Sequence, residues 1–278
     1  MTGIIDVGGG MRGVYTAGIY DCLIDLGITA DYCLGVSAGS ANMVTYIAGQ
    51  RGRNKRFYTQ YARRKEYMSF RNLLRRGSYL DLDYIYSVLS NSDGEDPFDY
   101  DAFMASPCQY VAVATGSWDG KPYYFTRDGL RRDRYDVVKA SCALPIACKP
   151  YPLDGAAYFD GGISDPIPYR KALTDGCDKL LVLLTRPRDY IRPPLNKVRL
   201  KRFFMRRYPA VMKAMLRRHL RYNADLEAVK ELERTGKALL LGPADIDGMS
   251  TLKWDPMVME RLYGYGYQDG AKAAAFLR

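Results

Sequence analysis

Two short apolar runs near the amino end of this chain stop on glycine, and each gives way to residues at helical spacing. Thr2 to Val7 ends in Gly8-Gly9-Gly10, after which Val14, Ala17, Ile19, Leu23 and Leu26 mark one face of a helix. Tyr32 to Val36 runs into Gly35-Val36-Ser37-Ala38-Gly39, and Ala38 to Gln50 reads as the helix that leaves it. Successive strand, turn and helix units set their strands parallel, so the pattern predicts an α/β sheet with helices on both faces. Further strands are predicted at Tyr110 to Thr115, Tyr123 to Thr126, Ala157 to Phe159, Lys179 to Leu184 and Ala238 to Leu241. Helices are predicted at Asp83 to Leu89, Tyr135 to Cys142, Tyr169 to Asp175, Val198 to Tyr222, Asp225 to Thr235 and Pro256 to Phe276. Sites in such sheets form at the carboxyl ends of strands, where both glycine turns lie.

Gly-x-Ser-x-Gly is the sequence of a nucleophile elbow, a tight turn that holds a serine hydroxyl clear of the backbone. That hydroxyl needs a base, and the chain has one histidine. His219 stands among Arg217, Arg218 and Arg221 on a basic helix, where it is expected to face solvent or lipid headgroups, so the base is sought among carboxylates. Asp160-Gly161-Gly162 follows Ala157-Tyr158-Phe159, which puts a carboxylate at a strand end beside glycines that permit close approach. A turn aspartate capping its own loop fits the same residues. Gly8-Gly9-Gly10-Met11-Arg12-Gly13 leaves backbone amides free to face an oxyanion. The same loop matches Gly-x-Gly-x-x-Gly through Gly8, Gly10 and Gly13, but a dinucleotide site wants an acid at the end of the next strand, and Asp31 lies at its start. The six cysteines, at 22, 33, 108, 142, 148 and 177, lack metal-ligand spacing. No metal or cofactor is expected, and the thiols are expected to be reduced.

The glycine loop, the Ser37 pentapeptide and the Asp160 motif, in this order and at these separations, resemble the patatin-like phospholipase family. Lys139 to Ile146 is similar to that family's helix and following loop beneath the active site. The resemblance covers residues 3 to about 185. It implies a three-layer sandwich with a mostly parallel central sheet, and a Ser-Asp dyad without histidine, metal or cofactor. By that likeness Ser37 is the nucleophile and Asp160 the base. Gly8, Gly9, Gly10, Arg12 and Gly13 form the oxyanion hole, Gly35 and Gly39 shape the elbow, and Gly161 and Gly162 complete the aspartate motif. One departure is that Val7 stands where family members often carry an acid, with Asp6 one position earlier. The implied activity is phospholipase or lysophospholipase-type acyl hydrolysis through an acyl-enzyme. A transacylase with the same dyad, and a non-catalytic lipid-binding or regulatory protein, are the alternatives.

With 278 residues and 47% hydrophobic content, the chain can bury a full core. Pro193-Pro194 suggests a boundary between a catalytic α/β domain, 1–190, and a basic, mainly helical region, 191–278, packed on it. The net charge of +10 comes from two stretches. Residues 51–76 hold ten Lys and Arg against Glu66 alone, and residues 191–224 hold eleven with no acid. Aromatic and methionine residues interleave with both, as in segments that approach anionic lipid. Both are expected to make peripheral membrane contact; nucleic-acid binding is not expected. The first should also line or cover the mouth of the site, and Pro209 should bend or divide the helix predicted at Val198 to Tyr222. Without a signal peptide or a bilayer-length apolar run, a cytoplasmic protein is expected.

Overall fold

The computed structural model describes all 278 residues. Its first half-sheet follows the sequence pattern: β1 (Thr2–Asp6), α1 (Val14–Asp25), β2 (Tyr32–Val36) and α2 (Ala38–Ile47). An insertion then builds α3 (Arg53–Thr59), α4 (Phe70–Arg76), a π-helical turn over Tyr84–Val88, and α5 (Tyr100–Ala105). The chain returns through β3 (Gln109–Gly116), β4 (Pro122–Thr126), α6 (Asp136–Cys142), β5 (Tyr151–Leu153) and β6 (Ala156–Asp160). After α7 (Tyr169–Thr174) and β7 (Lys179–Leu183) come α8 (Val198–Phe204), α9 (Pro209–Arg234), β8 (Ala238–Leu241) and α10 (Pro256–Leu277).

Strands β3, β2, β1, β7 and β8 lie side by side and parallel, while β4, β5 and β6 join antiparallel, giving a mixed α/β sheet between helical layers. Side chains alternate across it. Ile4, Cys33, Ala112 and Leu181 enter the core beneath α1, α2 and α10; Ile5, Leu34, Val111 and Val182 enter the one beneath α7 and α9. Helix α1 is covered by the sheet on one side and α10 on the other, so ten of its twelve residues are buried. Glycines make this contact close: a Cβ at Gly18 would overlap the Tyr263 carbonyl, and one at Gly266 the Tyr15 carbonyl. Residues 191–278 therefore supply both a strand of the sheet and a helix of the main core.

The helix predicted at Val198 to Tyr222 is divided ahead of Pro209, as that proline suggested. Pro209 begins α9, where its missing N–H costs nothing, and α9 then runs unbroken through Asn223 and Ala224 to Arg234. All six cysteines are buried and unpaired.

Candidate active site

Strand β3 is the ruler of the site. Its residues 111–115 pair with β4 along one edge. The opposite edge is shared: β2 pairs with residues 109–113, ending at Val36 opposite Val113, and β6 takes over at Ala114, which faces Asp160. Ser37 follows the last rung of β2, and Asp160 occupies the next rung from the other direction. Both open onto one cleft of about 610 Å³ of empty space. Ser37 holds φ 56° and ψ −131°, a strained conformation for a side-chain-bearing residue. The neighbours enforce it. Ser37 N–H donates to Ser141 Oγ (2.9 Å), Ser141 Oγ donates to the Val113 carbonyl (2.7 Å), and Ser40 Oγ donates to the Ser37 carbonyl (2.7 Å). Ser141 belongs to α6, within the Lys139 to Ile146 segment singled out in the sequence.

Asp160 is 3% exposed. Its Oδ1 accepts the Gly162 N–H at 2.8 Å, and its amide donates to the Ala143 carbonyl at 2.9 Å. Burial raises its pKa, while the nearby Ser37 hydroxyl, the Arg218 charge and the Gly162 amide oppose that rise. The aspartate thus caps its own turn and also lines the cleft that Ser37 lines.

The glycine loop lies against the amino end of α2. Gly8, Gly9 and Gly10 have φ of 63°, 140° and 60°, and a Cβ at Gly8 would overlap the Val36 carbonyl. Asp6 Oδ1 accepts the Gly8 N–H at 2.9 Å, and the Met11 N–H donates to the Thr251 carbonyl at 2.9 Å. The Gly9 and Gly10 amides donate to no group of the protein. The displaced acid still anchors the loop, since the Asp6 carboxyl reaches past Val7 to Gly8. Asp6 is fully buried, which pushes its pKa up to about 6 despite that amide. Arg12, Thr185, Arg186, Arg192 and Arg218 complete the polar wall. Thr185 Oγ1 donates to the Gly8 carbonyl and ties the loop to the end of β7.

A patatin-like phospholipase family model matches residues 7–173, more than half of the chain. The chain belongs to the patatin-like phospholipase family. A second model, a domain of unknown function (DUF6363), matches residues 208–277. The uncharacterized protein YjjU of Escherichia coli is 30% identical over 201 residues, which is 70% of this chain and 55% of that protein. This chain thus spans about half the length of that relative. An uncharacterized NTE family protein of Mycobacterium tuberculosis, Rv1063c, is 40% identical over 62 residues, covering 22% of this chain and 16% of its own length. Among solved structures, VipD from Legionella pneumophila superposes with a TM-score of 0.58 at 13% identity, over 99% of this chain and 66% of that one. That likeness extends the shared fold beyond the matched family segment.

The patatin-like site has a second, apolar compartment. A cavity of about 490 Å³ shares Ser37, Gly10, Leu144 and Thr251 with the polar cleft, but Tyr58, Tyr67, Leu80, Ile85 and Leu252 line it. Tyr58 and Tyr67 come from the basic stretch 51–76, which thereby lines the site as its position suggested. Arg51, Arg53, Lys55, Arg56, Arg64 and Arg76 of that stretch are ion-paired, so it offers fewer free cations than its composition implies. His219 departs from its expected solvent-facing position. It is half-buried, with Nδ1 lacking a partner, and lines a neighbouring cavity with Arg192 and Arg218 rather than the cleft of Ser37. Sequence reasoning missed Ser141, Thr185, Arg186, Arg192 and Arg218. One signal was present: Thr185-Arg186 directly follows Leu181 to Leu184, at the carboxyl end of a strand. No helix is long and apolar enough to cross a membrane.

Proposed function

We propose that this chain is a serine acyl-ester hydrolase acting on phospholipid or lysophospholipid esters, with Ser37 as nucleophile and Asp160 as base. The observation that carries this reading is the convergence of a strained serine, one residue past the Val36–Val113 rung, and a buried carboxylate on the next rung of β3, opposite Ala114. Ser37 Oγ attacks the ester carbonyl carbon as its proton passes to Asp160. Burial makes that carboxylate a stronger base than a solvated aspartate. The charge that develops on the carbonyl oxygen meets the unengaged Gly9 and Gly10 amides, near the positive end of α2. Collapse breaks the ester C–O bond, and Asp160 returns its proton to the departing alcohol. Water then attacks the acyl-serine and gives a proton to Asp160, the acyl C–O bond to Ser37 breaks, and Ser37 recovers its proton as the fatty acid leaves. The apolar cavity beside Ser37 takes the acyl chain.

The outer surface supports contact with anionic lipid. Leu200, Phe203 and Phe204 of α8 are 54%, 61% and 55% exposed, next to Lys197, Arg199, Arg202 and Arg206. On α4, Phe70 and Leu74 are likewise exposed beside Arg71 and Arg75. Apolar side chains ringed by cations suit a peripheral membrane face.

Ser37→Ala and Asp160→Asn each lower kcat on a short-chain nitrophenyl ester about a thousandfold or more, with the melting temperature preserved. A fluorophosphonate probe labels the wild-type chain and not Ser37→Ala. Full esterase activity in Ser37→Ala would falsify the assignment, and absence of labelling in the folded wild-type chain favours a non-catalytic lipid-binding protein.

A further inference from the structure

Four arginines open onto the Ser37 cleft: Arg12 within the glycine loop, Arg186 after β7, Arg192 before α8 and Arg218 on α9. None makes an ion pair, whereas Arg53, Arg56 and Arg221 elsewhere are matched to carboxylates. In all four the Nε–H is buried and finds no acceptor in the protein. Arg12 is 4% exposed, and its one side-chain contact is Thr251 Oγ1 at 3.4 Å. Burial first, then the charges of Arg186, Arg192 and Arg218, push Arg12 down to about 9. Burial and then Arg192 bring Arg218 down to about 10. Gathering unpaired cations under partial burial is destabilising unless an anion offsets it.

These side chains are held in place. The Arg186 guanidinium lies 4.2 Å from the centre of the Tyr190 ring, and that of Arg192 lies 4.7 Å from the Tyr222 ring. The backbone of Arg192 is fastened to α9 at both ends, its N–H donating to Asn223 Oδ1 (2.8 Å) and its carbonyl accepting from Asn223 Nδ2 (3.1 Å). Ring stacking fixes a guanidinium plane and leaves its N–H edge to a ligand. Asp160 is the one carboxylate in the lining.

We propose that this cleft is a phosphomonoester site, which takes the dianionic phosphate carried by the alcohol part of the acyl ester while the acyl chain enters the apolar cavity across Ser37. This substrate class rests on the hydrolase reading above. Guanidinium forks bind phosphate oxygens bidentately, and a dianion answers four cations facing one carboxylate better than a zwitterionic headgroup, which brings its own cation into the cleft.

The test uses three substrates with one acyl chain: an acylglycerol phosphate, an acylglycerophosphocholine and an uncharged acylglycerol. The expected kcat/KM is highest for the phosphomonoester, by about a hundredfold over the uncharged ester. In Arg186→Gln/Arg192→Gln protein that ratio collapses to within about threefold, whereas Arg64→Gln, which alters a pair with Glu95, preserves it. Ser37→Ala protein supplies an arm independent of turnover: calorimetric titration with the acylglycerol phosphate, inorganic phosphate and the free fatty acid. Acylglycerol phosphate binds at least about tenfold tighter than either, and the preference is lost on adding the two arginine substitutions. That result in a chain that turns over no ester counts against the hydrolase reading and leaves the phosphate site standing. Inorganic phosphate bound as tightly as the lipid phosphate assigns the cleft to free phosphate and overturns the headgroup. Tighter binding of the fatty acid, equal kcat/KM for the three substrates, or a ratio that survives the double substitution also overturns it.

Discussion

Residues 51–76 and 191–224 have almost the same basic composition and opposite electrostatic roles. In the first, six cations meet carboxylates supplied by other parts of the chain: Asp25, Asp81, Glu95, Asp96 and Glu260. Arg53 is the deepest. It donates to the Asp96 carbonyl (2.9 Å), Thr45 Oγ1 (3.1 Å) and Ser90 Oγ (2.9 Å), with Asp96 Oδ1 3.5 Å away. In the second stretch, Arg221 alone is ion-paired, to Asp165 and Asp225. Arg192 and Arg218 turn into the cleft, and the cations around α8 carry no acidic partner. Six of the ten charges of the first stretch are consumed in folding, all but one of the second are left to a ligand or a surface, and a count of lysines and arginines cannot separate the two.

The largest consequence of this contrast is on stability. Asp96→Ala strands the buried Arg53 and is expected to cost about 3–5 kcal/mol in urea unfolding, whereas Arg192→Gln leaves stability unchanged or raises it by relieving repulsion. An Asp96→Ala cost below about 1 kcal/mol, the level of a surface pair, breaks the comparison. Next comes acidity. On the proposed dyad, Asp160 must be ionised to act, and burial raises its pKa, so kcat/KM is expected to fall as pH drops with a midpoint above the ordinary aspartate range. Arg218 favours the carboxylate, so Arg218→Gln moves that midpoint upward; a downward or null shift in the pH profile contradicts it. The smallest effect is at the surface. Arg202→Gln/Arg206→Gln weakens binding to phosphatidylserine vesicles about threefold to tenfold, while Arg51→Gln/Lys55→Gln, drawn from the paired stretch, leaves sedimentation with vesicles unchanged.

Much of the catalytic strand-end geometry was legible because it is local. A strand that ends in glycine and leads into a helix declares its turn within a dozen residues, as Gly8 to Gly13 and Ser37 do. Asp160 was legible through its two glycines. The helices α3, α4 and α5 were not, since six or seven residues hold a helix by tertiary packing rather than by propensity. The arginine cluster was hidden for a different reason. Arg218 is one of seven arginines between Val198 and Tyr222, and nothing in its neighbours distinguishes a residue that turns inward from those that face water. The polar cleft depends on three segments far apart in sequence, and only packing brings their side chains together.

The shared edge of β3 has a corollary. Ser37 follows the Val36–Val113 rung and Asp160 takes the next one, while the chain between them leaves the sheet twice, once through the α3 to α5 insertion and once around α6. Those excursions build the apolar cavity beside Ser37, with Tyr58, Tyr67, Leu80 and Ile85 all lying in the first. Loops tolerate insertion better than the strands that they join, and here the strand ends that carry Ser37 and Asp160 are fixed by β3. On the proposed hydrolase reading, chain-length preference would be set by one part of the sequence and the reaction by another.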